Sequence, residues 1–286
     1  MPAILATTDL SARSDRAIGR AAQLADSLRG ALHIVHVIDS DQGALLPQSL
    51  IEQTTALFED HVAALVAQSS VEPRLHILNG SPFSRILDLA NEVAADLIVV
   101  GAHRHSLLDR IFVGTTGERV MRLGSRPVLR AQLPPERAYD KVMAATDLSD
   151  CSAQAMQCAA SLRLTGQSDL IVAHIFDPIS EGITLSLGPA DTAAQQRVEA
   201  RKAAVLSEMQ DFLKAHALDD LPHRLLAVPA RIFSGLQELV NGETPDLVVM
   251  GTRGQSGLQH MMLGSLAEAA VRDLSCDVLV VPPTRH

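Results

Sequence analysis

Four residues near the carboxyl end of the chain have the types and spacing of an anion-binding loop. Two residues separate Gly251 from Gly254, and nine more separate Gly254 from the neighbours Gly264 and Ser265. A glycine at the end of a strand lets backbone N–H groups approach an anion closely, because it has no Cβ. The hydroxyl of Ser265 could bind a phosphate at the start of the following helix, or it could only cap that helix. Taken alone, such glycines could also do no more than form turns.

A carboxylate in the same half of the chain favours the binding interpretation. Asp147 ends an apolar run that predicts a strand, and Gly251 follows the apolar run Leu247–Met250. In parallel sheets, ligands bind beyond the carboxyl ends of the strands, where the strand order reverses. We therefore expect Asp147 and the glycines to border one crevice.

The chain is a duplication. Asp9 and His36 recur as Asp147 and His174, 138 residues later, whereas Gly101 and Gly114 recur as Gly251 and Gly264, 150 residues later. The second repeat therefore contains 12 additional residues, which we assign to the loop around 181–192. The polar, proline-containing stretch 132–140 predicts a linker between domains at 1–133 and 140–286.

Each repeat predicts alternating strands and helices. Short apolar runs predict buried strands, and segments with helical spacing of apolar residues predict helices, with Ser11 and Ser149 as N-caps of the first helix in each repeat. This alternation indicates two doubly wound α/β domains, each a five-stranded, mainly parallel sheet with helices on both faces. In the first repeat the predicted strands are Ala3–Ala6, Leu32–Ile38, Leu75–Leu78, Leu97–Val100 and Val128–Arg130, the predicted helices include Asp15–Leu28, Ile51–Ala67 and Ser84–Val93, and in the second repeat Leu266–Leu274 is a further predicted helix.

Composition excludes several classes of protein. The 286 residues suit two domains, and with 47% hydrophobic residues but only six Phe, one Tyr and no Trp the core must be aliphatic. A net charge of −9 argues against nucleic-acid binding, which depends mainly on positive charge. Three cysteines without a C-x-x-C spacing suggest neither a disulfide framework nor a zinc site. With no apolar run long enough for a membrane span and no signal peptide, we expect a cytoplasmic protein.

The sequence resembles a tandem universal stress protein, and the resemblance covers both repeats nearly end to end. The nucleotide motif of that family, Gly-x2-Gly-x9-Gly-Ser/Thr, is matched by Gly251, Gly254, Gly264 and Ser265. Thr146–Ser149 is similar to the family's Asp-x-Ser opening, and Asp277–Pro282 to its last strand. The resemblance implies an adenine nucleotide α-hydrolase-like fold that binds ATP, and leaves open whether Mg²⁺ accompanies it.

The resemblance also implies which residues surround the ATP. By position, the base lies near Asp147 and the backbone of Ile175, Met250 and Gly251 lie at the strand end, and the phosphates lie near Gly254, Gly264, Ser265 and Leu266. In the first repeat Arg104 replaces the second glycine. Its side chain could prevent the loop from wrapping the phosphates, or its guanidinium could clamp one. We expect impaired or altered ATP binding there, so the equivalent positions are weaker candidates: Asp9, Val37, Val100, Gly101, Gly114 and Thr115.

The sequence shows no catalytic apparatus. No lysine or carboxylate lies between Gly251 and Ser265, and Arg253 could either neutralise phosphate or be a solvated loop residue. The predicted function is therefore an ATP-binding regulator or sensor in the stress response. A slow ATPase or nucleotide hydrolase, and an interaction protein that needs no nucleotide, remain alternatives. No catalytic residue, nucleic acid or membrane is expected to be involved.

Histidines and cysteines receive structural interpretations. His33 and His36 are three apart on a predicted strand and so face opposite sides, while His103 and His105 lack further ligands nearby. We therefore expect no metal site. Cys151 and Cys158 lie on one helix face and are interpreted as inert core residues.

Family domains pair through their last strands. The resemblance therefore implies that Pro127–Arg130 and Val278–Val281 pair within one chain. It leaves open whether two chains also form a homodimer.

Overall fold

The computed structural model describes residues 1–40, 47–102, 116–135, 137–165, 169–179, 192–253 and 263–284. Strands and helices alternate along them, as the sequence predicts. The first repeat forms β1 (Ala3–Thr8), α1 (Ala12–Leu28), β2 (Ala31–Ile38), α2 (Gln48–Val66), β3 (Arg74–Asn79), α3 (Pro82–Glu92), β4 (Leu97–Gly101), α4 (Thr116–Leu123) and β5 (Val128–Ala131). The second repeat forms β6 (Lys141–Ala145), α5 (Asp150–Ser161), β7 (Asp169–Phe176), α6 (Thr192–Ala215), β8 (His223–Pro229), α7 (Ile232–Glu243), β9 (Leu247–Gly251), α8 (Ser265–Asp273) and β10 (Asp277–Val281).

The chain divides into two compact units. Unit 1 comprises residues 1–138 together with β10, and unit 2 comprises residues 139–276. The strand order in unit 1 is β3-β2-β1-β4-β5-β10, with parallel neighbours except for the antiparallel pair β5 and β10. The strand order in unit 2 is β9-β6-β7-β8, with all neighbours parallel. The predicted doubly wound α/β class is confirmed, with five strands from each repeat.

The pairing expected for the two last strands is present. Leu129 of β5 lies opposite Leu279 of β10, with Arg130 opposite Val278 on one side and Val128 opposite Val280 on the other. Through this pairing, the last strand of the second repeat completes the sheet of unit 1.

Aliphatic side chains form the core, because strands of a parallel sheet are covered by helices on both faces. Ile4, Leu5, Ile98 and Ile171 are fully buried, and Phe58 is among the few large aromatic side chains in the core. None of the helices in the described part of the chain combines the length and the apolar character needed to cross a bilayer.

The predicted elements differ from the observed ones mainly at their ends. β1 continues through the polar residues Thr7 and Thr8, and α1 begins at Ala12 rather than Asp15. Ser11 and Ser149 are the N-caps of α1 and α5, as predicted. Because polar residues such as Thr8 continue the strand, an apolar pattern alone ends too early.

Candidate functional site

The strand order of unit 2 reverses next to β6. This strand lies between β7, which follows it in the chain, and β9, to which the chain returns later. Doubly wound sheets bind ligands at such a reversal, beyond the carboxyl ends of the strands. Asp147 follows β6 and Gly251 ends β9, so both lie at this switch point. Unit 1 has the same reversal at β1, between β2 and β4.

The loop after β6 is held by hydrogen bonds in a fixed conformation. Leu148 has a φ of 63°, and its N–H donates to Thr146 Oγ1 at 2.9 Å. The same hydroxyl lies 2.7 Å from Ser152 Oγ in α5. His174 on β7 donates from Nδ1 to the carbonyl oxygen of Thr146 at 2.9 Å, and this contact requires the proton on Nδ1 because a carbonyl can only accept. The loop that carries Asp147 is thus fixed to both β7 and α5.

The loop after β1 repeats this geometry. Leu10 has a φ of 61° and donates to Thr8 Oγ1 at 2.9 Å, while Thr8 Oγ1 lies 2.8 Å from Ser14 Oγ. His36 Nδ1 donates to the carbonyl oxygen of Thr8 at 3.0 Å. Both histidines follow their threonine by 28 residues. Sequence reasoning missed this orienting role of His36 and His174, although their equal spacing from the two Thr-Asp-Leu-Ser loops was a signal for it.

Each loop also orients its carboxylate. Asp147 Oδ1 accepts from the Ser149 N–H at 3.2 Å and from the Ser149 hydroxyl at 2.6 Å. Asp9 Oδ1 accepts in the same way from the Ser11 N–H at 3.0 Å and from its hydroxyl at 2.5 Å. Asp147 is partly buried and Asp9 is exposed. Both carboxylates are therefore held at the ligand edge of a sheet.

The two carboxylates have different neighbours. Burial raises the pKa of Asp9, but hydrogen bonds from Ser11 and Ser14 and the positive charge of Arg13 outweigh it, so the pKa lies below the ordinary value of 3.8. Arg13 lies 3.8 Å from Asp9 Oδ2. In the second repeat the position of Arg13 is occupied by the uncharged Cys151. A ligand at Asp9 would thus meet a cation that the second repeat does not place there.

Gly251 has a packing role in addition to any ligand contact. A Cβ at this residue would lie 2.7 Å from Cys151 Sγ and 3.2 Å from the carbonyl carbon and oxygen of Cys151. In the first repeat, a Cβ at Gly101 would lie 2.9 Å from the carbonyl oxygen of Arg13 and 3.1 Å from Ser14 Cα. The glycine at each strand end therefore lets the first turn of the repeat's first helix pack against the strand.

A hydrogen bond joins the end of β9 to the start of α8. The N–H of Gly264 donates to the carbonyl oxygen of Thr252 at 2.8 Å, and a Cβ at Gly264 would lie 3.2 Å from the same oxygen. Gly264 is the N-cap, with φ −60° and ψ 148°, and the exposed Ser265 is the first residue of the helix. The interpretation of Ser265 as the cap is therefore wrong, and the predicted start of the helix at Leu266 is one residue late.

The other predicted site residues lie at the same edge or outside the described residues. Met250 is buried in β9, and Leu266 is partly buried in α8. Ile175 is buried in β7, and its Cγ2 would lie 2.8 Å from a Cβ at Gly235 of α7, so its side chain packs on that helix. In the first repeat Val37 is partly buried and Val100 is buried. The residues Gly254, Gly114, Thr115, Arg104, His103 and His105 lie outside the described residues.

No group of three or more His, Cys, Asp or Glu side chains within the described ranges is arranged to hold a metal ion. His33 and His36 have different partners, since His33 hydrogen-bonds His76 whereas His36 hydrogen-bonds the Thr8 carbonyl.

Comparison with known proteins places both repeats in one family. The profile of the universal stress protein family matches residues 1–131 and 138–282. Universal stress protein A homolog 1 of Coxiella burnetii is 31% identical over 145 residues, which are 50% of this chain and 96% of that protein. Universal stress protein E of Salmonella typhi is 23% identical over 263 residues, 87% of this chain and 81% of that protein.

A solved structure has a similar fold and matches nearly the full length of the chain. The crystal structure of a universal stress protein from Archaeoglobus fulgidus has a TM-score of 0.66 at 18% identity, covering 98% of each chain. This likeness concerns the fold alone. The two profile matches show that the chain belongs to the universal stress protein family, as a member with two family domains in tandem.

Proposed function

We propose that the second repeat binds ATP and that the chain acts as a nucleotide-dependent regulator or sensor in the stress response. The observation that carries this proposal is the hydrogen bond between Gly264 and Thr252, which brings the start of α8 to the end of β9. Asp147 follows the neighbouring strand, β6. A helix N-terminus and an oriented carboxylate thus border the switch point, as in other nucleotide sites of doubly wound sheets.

The phosphates belong at the start of α8. The first N–H groups of a helix have no acceptor within the helix, and the helix dipole makes this end positive. Ser265 adds an exposed hydroxyl as the first residue of the nine-residue helix. Arg253, exposed just after β9, supplies a positive charge at the same edge. These donors suit a polyphosphate better than a neutral ligand.

The adenine belongs near Asp147. Its Oδ1 is oriented by Ser149, and a carboxylate can accept a hydrogen bond from the adenine amino group. The Ile175 side chain is buried against α7, so its proposed contact with the base is made by the backbone. The proposed ATP site therefore comprises Asp147, Ile175, Met250, Gly251, Gly254, Gly264, Ser265 and Leu266.

The first repeat is proposed to bind ATP weakly or differently. Arg104 stands where the second repeat has Gly254, and Arg13 adds a positive charge next to the carboxylate of Asp9. The weaker candidates for this site are Asp9, Val37, Val100, Gly101, Gly114 and Thr115.

Binding rather than turnover is the proposed use of ATP. The sequence between Gly251 and Ser265 contains no carboxylate or lysine that could activate water. A regulator needs only a difference in ATP affinity between two conformations or two assemblies of the protein.

Calorimetric titration with ATP tests the proposal, with and without Mg²⁺ in separate runs. We expect one ATP per chain in the parent protein and loss of most binding in Gly254→Arg, which introduces the residue type of the first repeat. Gly242→Ala, on α7 with nothing within 4 Å of the new Cβ, is the control and should bind as the parent does. Unchanged binding by Gly254→Arg would place the ATP elsewhere. Rapid formation of ADP, measured by chromatography, would favour the ATPase alternative.

A further inference from the structure

Two histidines form a partly buried, hydrogen-bonded pair at the outer edge of the sheet of unit 1. His33 of β2 and His76 of β3 have Nδ1 and Nε2 3.0 Å apart, and their rings stack with centroids 5.2 Å apart and planes inclined by 16°. His33 is only 5% exposed, and His76 is partly buried. β3 is the last strand at this end of the sheet, so the pair joins the edge strand to its neighbour.

The second repeat fills the same positions with apolar residues. In the first repeat His33 lies opposite Arg74, and in the second Ile171 lies opposite Arg224. By this register, Ile171 replaces His33 and Leu226 replaces His76. Ile171 is fully buried and Leu226 is partly buried. The fold therefore accepts an apolar pair here, and the histidines are not required by the sheet itself.

The surroundings favour the neutral form of both histidines. Burial lowers the pKa of His33, and the charges of His76 and Arg74 lower it further. Burial also lowers the pKa of His76, where Glu92 of α3 raises it and Arg74 lowers it, with a net lowering. On the other side of β2, the residue opposite His33 in β1 is the apolar Leu5. Among the residues that the structure describes, Arg74 and Glu92 are the charged side chains that shift the pKa values of the pair.

We propose that the His33–His76 pair makes the β2–β3 edge of unit 1 open on mild acidification, while the corresponding β7–β8 edge of unit 2 stays closed. A neutral pair shares one hydrogen bond, but two added protons would place two positive charges about 3 Å apart in a partly buried site. Unfolded histidine takes up its proton near pH 6.5, whereas the folded pair takes it up only at lower pH. Stability of this edge is therefore constant well above pH 6.5, the pH at which unfolded histidine is protonated. It falls as the pH decreases from there towards the lower pH at which the folded pair is protonated.

Opening of this edge would also affect the loop after β1, which carries Asp9. β2 also carries His36, which orients the loop after β1 through its bond to the Thr8 carbonyl. The proposed switch would therefore loosen the first repeat alone, independently of ATP in the second.

Hydrogen exchange with mass spectrometry tests this within one molecule. Peptides from β2 and β3 are compared with those from β7 and β8 at about pH 7 and about pH 5, after correction for intrinsic rates. We expect protection of β2 and β3 to fall by up to about tenfold per pH unit for each proton taken up on opening, with no such change in β7 and β8. In the variant His33→Ile/His76→Leu, which copies the second repeat, the extra loss should disappear.

Two outcomes would overturn the proposal. One is an equal pH response of the two edges in the parent protein, and the other is a full response in the double variant. If the variant fails to fold, titration of the parent's histidines by NMR decides, with peaks assigned through His33→Gln and His76→Gln. Midpoints below 6.5 for both residues support the switch, and a midpoint at or above 6.5 for either overturns it.

Discussion

Arg20 and Asp277 form an ion pair that is closed to solvent, with side chains 3% and 0% exposed and Nε 3.3 Å from Oδ2. The other carboxylate oxygen accepts from the N–H groups of Gln132 at 2.7 Å and Leu133 at 2.8 Å. Arg20 also donates to the carbonyl oxygen of Arg137 at 2.8 Å. One carboxylate thus holds α1, the segment after β5 and the start of β10 together within unit 1.

Removal of this carboxylate should destabilise the protein strongly. Asp277→Leu would leave the charge of Arg20 buried without its partner and two N–H groups without their acceptor, so we expect a loss of about 3–5 kcal/mol in the free energy of unfolding. The control is Asp273→Ala, since Asp273 pairs with Arg272 at 2.9 Å but the two side chains are 29% and 48% exposed. Its cost should stay below about 1 kcal/mol. Urea unfolding followed by circular dichroism measures both, and equal losses would contradict the prediction.

The sequence could not reveal this ion pair. Its residues belong to different repeats, and the equivalent positions are occupied by Cys158 and Pro127, so comparison of the repeats gives no sign of it. The pair between His33 and His76 could not be predicted for a similar reason, because it depends on the register of two strands rather than on spacing along one.

Local features were predictable where the chain itself determines them. The N-caps Ser11 and Ser149 follow from side-chain type, and the strands follow from continuous apolar runs. For Ser265 the sequence left two interpretations open, and the structure excludes the cap, because the extended backbone of Gly264 and its bond to Thr252 place the helix start one residue earlier. Side-chain type alone cannot distinguish a serine at the cap from one in the first turn.

The packing of Gly251 gives a second prediction. Gly251→Ala should cost about 1–3 kcal/mol of stability, because its Cβ would lie 2.7 Å from Cys151 Sγ. Gly251→Ala/Cys151→Ala should recover part of the loss, since the sulfur is gone but the carbonyl contacts at 3.2 Å remain.

Gly242 is the matched control for this substitution. Gly242→Ala in α7 meets nothing within 4 Å and should stabilise by about 0.5–1 kcal/mol. Thermal unfolding measures all these variants without ligand. A Gly251→Ala protein as stable as the parent would show that this close approach does not matter.

The low pKa of Asp9 gives a prediction for pH dependence. Its folded pKa lies below 3.8, so the carboxylate contributes stability above that pH and loses it as the pH falls through the folded pKa. Asp9→Asn should therefore lower the melting temperature slightly at neutral pH, and the difference from the parent should vanish in acid. The effect is small because the Asp9 side chain is 65% exposed. Calorimetry across the acid range measures it, and a difference that does not depend on pH would contradict the assigned shift.

Substitution of Ser265 distinguishes a contact with the ligand from a contribution to helix stability. Because Gly264 is the N-cap, Ser265→Ala removes no cap. The free energy of unfolding without ATP should therefore change by no more than about 0.5 kcal/mol, with a correspondingly small shift in the melting temperature. If the hydroxyl donates to a phosphate oxygen, its loss should weaken ATP binding by about 1.5–3 kcal/mol, or about ten- to a hundredfold. Calorimetric titration measures the affinity, and thermal unfolding without ATP measures the stability.

Ser265→Thr provides the control for this substitution, because it keeps the hydroxyl and copies Thr115 of the first repeat. It should bind ATP within a few fold of the parent, so weak binding by Ala and near-normal binding by Thr together identify the hydroxyl as the contact. Unchanged affinity in Ser265→Ala would remove the residue from the proposed site. A fall in stability without ATP of about 1 kcal/mol, the usual cost of a lost cap, would instead assign the serine to the helix end, contrary to the position of Gly264.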